Sequence, residues 1–217
     1  MRRFGRATPL FRDRADAGRR LGERLREMAL DRPVVLGLAR GGVEVAAEVA
    51  RSLEAPLDVE VVRKLGAPSQ PELAVGAIAR GEMVRNEQAI RAIGLSDEEL
   101  ESVWRAEDAE LDRRDEAYRP ARARVDVSGR DVVVVDDGVA TGMTTTAALR
   151  SVRRRGARRV VLAVPVAPGD TLARLRLEAD AVVCLETPSS FRAVGEFYED
   201  FSQTTDAQVV SLLAASD

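Results

Sequence analysis

Residues 132–145 read VVVVDDGVATGMTT. Four valines without polar alternation predict a strand buried on both faces. The strand ends on Asp136 and Asp137. Two adjacent carboxylates at a strand end repel each other unless hydroxyl donors or a metal separate them. A ribose 2′,3′-diol supplies two such donors. Gly138, Ala140 and Gly142 leave room for backbone N–H groups to approach a ligand. Thr141, Thr144 and Thr145 add hydroxyls where a helix begins, and a helix N-terminus is an anion site. A diol clamp followed by a phosphate cradle is the chemistry of a ribose 5-phosphate. The plainer alternative is a strand end followed by an ordinary threonine N-cap. That alternative suits an isolated Asp-Asp-Gly better than it suits the whole string. No Lys follows the glycines as in a Walker loop, and the Rossmann glycine spacing is absent.

Apolar strands and helices alternate on both sides of this stretch. Residues 11–28 place Leu21, Leu25 and Met28 on one face of an amphipathic helix. VVLGLA after Pro33 predicts a strand, followed by RGG and a helix over EVAAEVARSL. LDVEVVRK predicts a second strand, ending in a Gly/Pro/Ser-rich loop, LGAPSQPE. LAVGAIA and EMVR predict a hairpin around Arg80-Gly81. Residues 86–119 are charged and helical, with Ser96 and Glu99 spaced as a capping box. Beyond the central strand come a helix stopped by Gly156, a strand in RRVVLAVPVA, a helix in DTLARLRLE, a strand in ADAVVCLE and a terminal helix. Continuous apolar strands alternating with helices predict an α/β fold. Its Rossmann-like parallel sheet of about five strands is flanked by helices, and ligands of such sheets sit at the C-terminal strand ends.

Composition narrows the chemistry. The 217 residues are 45% hydrophobic, enough for one domain. Net charge is -3 with 32% charged residues, which disfavours nucleic acid as a partner. The run Arg153, Arg154, Arg155, Arg158 and Arg159 reads as a helix end complementing its dipole, against a basic patch as the alternative. There is no histidine, so His-based triads and His metal sites are excluded. The single cysteine, Cys184, cannot form an internal disulfide and reads as a buried strand residue. No apolar run approaches membrane-spanning length, and no signal h-region is seen. A cytoplasmic protein without a membrane partner is expected. Lys64 is the only lysine.

The string VVVVDDGVATGMTT resembles the phosphoribosyl-diphosphate motif of the type I phosphoribosyltransferase family. The resemblance implies that Asp136 and Asp137 hold the ribose hydroxyls, touching a metal only indirectly, through hydroxyls or water. It implies that Ala140, Thr141, Gly142, Met143, Thr144 and Thr145 hold the 5-phosphate, largely through backbone N–H groups. LARGGVEVA resembles the family's pyrophosphate loop, placing Ala39, Arg40 and Gly41 at the leaving group. VVRKLGAPSQPELAVGAI resembles the strand and flexible lid over the site, bringing Arg63 and Lys64 toward pyrophosphate. Residues 64–75 would be that lid. The likeness covers about residues 30–185. It implies a hood from residues 1–30, 186–217 or both within one domain over 1–217, and the charged segment at about 86–120 reads as a packed helical insertion or a dimer contact.

The implied reaction displaces pyrophosphate from 5-phosphoribosyl diphosphate by a nitrogenous base, with Mg2+ as cofactor, in nucleotide salvage by a homodimer. No protein nucleophile is required. Many 6-oxopurine enzymes of the family carry an Asp where Ala140 stands, so this chain departs from them and is similar to adenine and uracil enzymes. Glu72 would be the lid acid or base, against a solvated loop charge. Phe191, Tyr198 and Phe201 would either stack on the base or anchor the tail. A different reading is a sensor that binds phosphoribosyl diphosphate and RNA or DNA without robust transfer. A third is a sugar-phosphate hydrolase using the same pocket.

Overall fold

The computed structural model describes residues 9–119 and 123–216. In chain order its elements are α1 (Arg14–Arg26), β1 (Val34–Leu38), α2 (Gly41–Leu53), β2 (Leu57–Glu60), β3 (Val62–Ala67), β4 (Gln70–Ala79) and β5 (Glu82–Arg85). There follow α3 (Glu87–Ile93), α4 (Asp97–Tyr118), β6 (Asp131–Val135), α5 (Met143–Arg154), β7 (Arg159–Val166), α6 (Gly169–Leu175), β8 (Ala181–Glu186) and α7 (Asp206–Ala214). A short 3-10 turn, Val194–Phe197, lies in the tail.

Five strands form a parallel sheet in the order β2-β1-β6-β7-β8. The four-valine strand is therefore central. Its residues alternate between two cores, as the two-residue period of a strand requires. Val133 and Val135 share a core with Leu21 and Leu25 of α1 and Val45 and Val49 of α2. Val132 and Val134 share another with Leu149 and Val152 of α5 and Leu172 and Leu175 of α6. The sheet thus has helices on both faces, and its valines need no polar side.

Two parts of the sequence reading are corrected. LDVEVVRK is not one strand. It divides at Val61, with β2 on the parallel sheet and β3 starting an antiparallel sheet, β3-β4-β5. LGAPSQPE is not a loop either. β3 runs on to Ala67, β4 begins at Gln70, and only two residues turn between them. Leu65 and Ala67 carry the pairing forward because both are buried, at 0% and 1% exposure. Register shifts around Gly66 absorb the residues that do not match. Gly and Pro here mark an irregular hairpin, not a loop. The second hairpin turns at Arg80-Gly81, as expected.

Residues 86–119 form α3 and α4. Ser96 and Glu99 make the predicted capping box. A buried ionic cluster fastens this segment to edge strand β2. Arg119 Nε donates to Asp58 Oδ1 at 3.0 Å, and on the same strand Glu60 Oε2 accepts from Arg155 Nη1, at the end of α5, at 2.8 Å. Asp115 pairs with both Arg119 and Arg124. The arginines singled out near Gly156 are also paired, Arg153 with Asp180, Arg154 with Glu82 and Arg158 with Asp131. Among the described residues no helix is long and apolar enough to cross a membrane.

Candidate active site

The connections from β1 through α2 to β2 and from β6 through α5 to β7 run in opposite directions across the sheet. β1 and β6 are neighbours, so the crevice between their C-terminal ends is the switch point at which open α/β sheets bind ligands. Both helices that follow these strands open onto it. α2 begins at Gly41 after Arg40, and α5 begins at Met143 after Gly142. The first hydrogen bond of α5 runs from the Thr146 N–H to the Gly142 carbonyl at 2.8 Å. None of the six N–H groups from Ala140 to Thr145 donates to a described residue. Gly142 makes this bend possible: its φ is +81°, and it is buried against Thr171 and Leu175. The Thr145 hydroxyl is buried and has no hydrogen-bond partner among the described residues.

The acid pair lies between the two helix starts. The Asp136 carboxylate accepts the N–H of Asp137 at 2.9 Å and makes no salt bridge to a described residue. Asp137 Oδ2 accepts from Arg14 Nε at 2.8 Å. The Asp137 carbonyl accepts from the Tyr198 hydroxyl at 2.6 Å. Burial, and then the charge of Asp137, push the Asp136 carboxyl well above the ordinary Asp range. Burial also raises Asp137, with Arg14 opposing the shift. The glycines of RGG let the β1–α2 loop close on this pair. A Cβ on Gly41 would lie 2.0 Å from Asp137 Oδ2, and one on Gly42 would lie 3.0 Å from Asp136 Cα.

The remaining predicted residues are distributed unequally. Ala39, Arg40 and Gly41 line a cavity of about 440 Å³ beside the acid pair, with Arg14, Phe201 and Thr204. The Ala39–Arg40 peptide is cis. Arg40 lies 3.9 Å from Asp206, which also accepts from Tyr118. Ala140 and Thr141 border a second cavity of about 690 Å³, with Thr171, Arg174, Thr187 and Phe191. Arg63 instead donates to Glu107 of α4 through Nε at 2.7 Å. Lys64 and Glu72 are exposed on the β3–β4 hairpin, where Lys64 Nζ lies 3.3 Å from the Glu72 carbonyl.

Residues 12–202 match the model of the phosphoribosyl transferase domain. The chain belongs to the phosphoribosyl transferase domain family. It is 53% identical over 205 residues to two proteins of Mycobacterium tuberculosis, from strains CDC 1551 and H37Rv, that carry the provisional name phosphoribosyl transferase. That match takes in 94% of this chain and 46% of each relative, so the chain spans about half the length of the curated relatives it matches. The crystal structure of TT1426 from Thermus thermophilus is similar at 48% identity and a TM-score of 0.81. That similarity covers 95% of this chain and 98% of that one.

In this phosphoribosyl transferase domain the segment before α1 and the tail around Phe197–Glu199 meet, and Tyr198 ties that tail to the acid pair. The N–H of Phe11 donates to the Phe197 carbonyl at 3.0 Å, and the N–H of Glu199 donates to the Phe11 carbonyl at 2.9 Å. Phe11 and Tyr198 are buried together with their ring centroids 5.3 Å apart. Tyr198 therefore anchors the tail to the body, and Phe201 lies under the Arg14 guanidinium. Phe191 packs on Phe197 and borders the larger cavity. Cys184 is half-buried on β8, its thiol donating to the Glu186 carbonyl at 3.2 Å.

Arg14 is the site residue that sequence reasoning missed. Its signal was in its register. Arg14, Ala17, Leu21 and Leu25 follow the spacing of one helix face and are all buried. A charged residue in the apolar stripe calls for a buried partner.

Proposed function

We propose that this domain transfers the 5-phosphoribosyl group from phosphoribosyl diphosphate to a nitrogenous base in the cytoplasm, releasing pyrophosphate. The observation that carries the reading is the run of unpartnered N–H groups from Ala140 to Thr145 beside the paired acids Asp136 and Asp137. A helix start with free N–H groups takes the 5-phosphate, and the carboxylates accept from the ribose hydroxyls. Met143, Thr144 and Thr145 open the helix that the phosphate caps. Ala39, Arg40 and Gly41 face the pyrophosphate across the smaller cavity.

In the reaction the bond from C1 to the pyrophosphate oxygen breaks, and a bond from the base nitrogen to C1 forms. Charge builds on the departing oxygen. Arg40, and Lys64 once the β3–β4 hairpin closes, stabilise it. Arg63 is proposed to support Lys64 from its anchor on Glu107. Glu72 rides the same hairpin as the candidate acid or base. The larger cavity, with Phe191 on its wall, takes the base under a hood made by both chain ends. Ala140 presents no carboxylate to that base.

The donor set suits Mg2+ only in part. Asp136 and Asp137 are hard oxygen ligands, but Asp137 already pairs with Arg14, and no group of three acids is present among the described residues. Mg2+ would therefore be held mainly by phosphate oxygens and water, with the two acids touching it through hydroxyls or water. When bound it neutralises pyrophosphate charge.

The test is to incubate the protein with phosphoribosyl diphosphate, Mg2+ and a panel of purines and pyrimidines, and to follow pyrophosphate. Release with one base names the acceptor. Donor binding without release from any base would favour a sensor over an enzyme. Light scattering tests the expected homodimer.

A further inference from the structure

Among the described residues Arg14 is one of the few buried charged residues, only 7% exposed. Its three contacts come from two distant parts of the chain, the end of β6 and the C-terminal tail. Nε donates to Asp137 Oδ2 at 2.8 Å, Nη1 donates to the Ser202 carbonyl at 2.6 Å, and the guanidinium lies 3.9 Å over the Phe201 ring. Burying an ion pair is a poor route to stability compared with apolar packing. α1 already has Ala17, Leu21 and Leu25 for that purpose. The geometry at Asp137 suggests another use. Oδ2 is wedged between Arg14 and the glycine of the β1–α2 loop, with no space for a Cβ on Gly41. Oδ1 accepts from no other described residue. One oxygen is clamped, so the carboxylate plane is set and the other oxygen is available in a fixed direction.

We propose that Arg14 is a positioning residue for ribose recognition. It holds Asp137 by one oxygen so that the other accepts a ribose hydroxyl, and it makes this depend on the docked tail through Phe201 and Ser202. The proposal rests on the sugar-phosphate reading of the site. It assigns Arg14 no contact with the reacting atoms. Preorganised acceptors discriminate because they need no rearrangement on binding. An Arg fork held at three points meets that condition, and a lysine does not.

The test compares ribose 5-phosphate with 2,3-dideoxyribose 5-phosphate by titration calorimetry on the full chain. Wild type should prefer the diol sugar. In Arg14→Met that preference should fall roughly tenfold or more, the weight of one charge-assisted hydrogen bond, while the affinity for the dideoxy sugar changes little. A merely structural role would weaken both sugars alike, and an equal loss overturns the proposal. So does an unchanged preference. If Arg14→Met does not fold, Phe201→Leu removes the ring under the guanidinium and should reduce the preference in the same direction; no reduction there also overturns it. Wild type that binds neither sugar phosphate refutes the functional reading and the inference with it. Wild type that binds both equally refutes diol recognition by the acid pair, and the inference with it, while the phosphate site at the start of α5 stands.

Discussion

The Tyr198 hydroxyl donates to the backbone carbonyl of Asp137 at 2.6 Å, joining the C-terminal tail to the acid pair. The ring is buried between Phe11 and Phe201, and burial followed by the Asp137 charge raises the phenol far above its ordinary value. The group therefore stays a neutral donor across the working pH range. Tyr198→Phe keeps the ring packing and removes the donor. Urea denaturation should show a loss of about 0.5–1.5 kcal/mol. Affinity for phosphoribosyl diphosphate should fall as well, because the Asp137 backbone is no longer held.

Gly41 packs closely against the Asp137 carboxylate. Gly41→Ala would bring a methyl to 2.0 Å from Asp137 Oδ2 and 2.8 Å from Arg14 Nε. The side chains must move. Donor affinity should drop by at least roughly tenfold, since a shift of about 1 Å at a binding group has consequences of that order or more. Equilibrium binding measures it; an unaltered affinity would mean that Asp137 is not a contact.

Asp136 links function to pH. Burial and the neighbouring Asp137 charge raise its carboxyl above the ordinary value of 3.8. The folded state then holds this proton more tightly than the unfolded state. The contribution to stability is complete below the unfolded value and is lost as pH rises through the folded one. Without ligand, melting temperature should decline as pH climbs above about 4. Asp136→Asn cannot ionise but keeps an acceptor for the Asp137 N–H. It should flatten that decline and stabilise the protein at neutral pH, while impairing donor binding. Melting curves across pH for both proteins decide the matter.

The ionic cluster between α4 and β2 gives a prediction away from the site. Arg119 and Asp58 are both almost wholly buried and lie 3.0 Å apart. Arg119→Met leaves Asp58 charged without this partner. Breaking such a pair costs about 3–5 kcal/mol, and chemical denaturation should register it.

Much of this was legible because local chemistry and global fold agree. The unbroken valines of β6, the stop at Gly156 and the Ser96–Glu99 box each named an element that the structure contains. The two acids and the threonine loop also stood together in sequence, so the strand-to-helix turn that unites them was visible. What could not be read was long-range. Arg14 meets Asp137 across 123 residues, and only the packing of α1 on the sheet joins them. Arg63 looked as suitable for an anion as Arg40, yet it pairs with Glu107 on α4. The hairpin was hidden because glycine and proline mark irregular strands as readily as loops. Register depends on burial of Leu65 and Ala67, which a one-dimensional pattern does not display.

The central claim is that Asp136, Asp137 and the free N–H groups after them bind the sugar end of phosphoribosyl diphosphate. Thermal unfolding with and without the donor and Mg2+ tests it most directly. At a hundredfold excess over the dissociation constant, a ligand that binds only the folded state stabilises it by about 2.7 kcal/mol. Wild type should melt several degrees higher with the donor, and the double variant Asp136→Asn, Asp137→Asn should melt at the same temperature with or without it. A wild-type curve unmoved at saturating donor, or a shift that survives in the double variant, would show that these residues do not form the donor site.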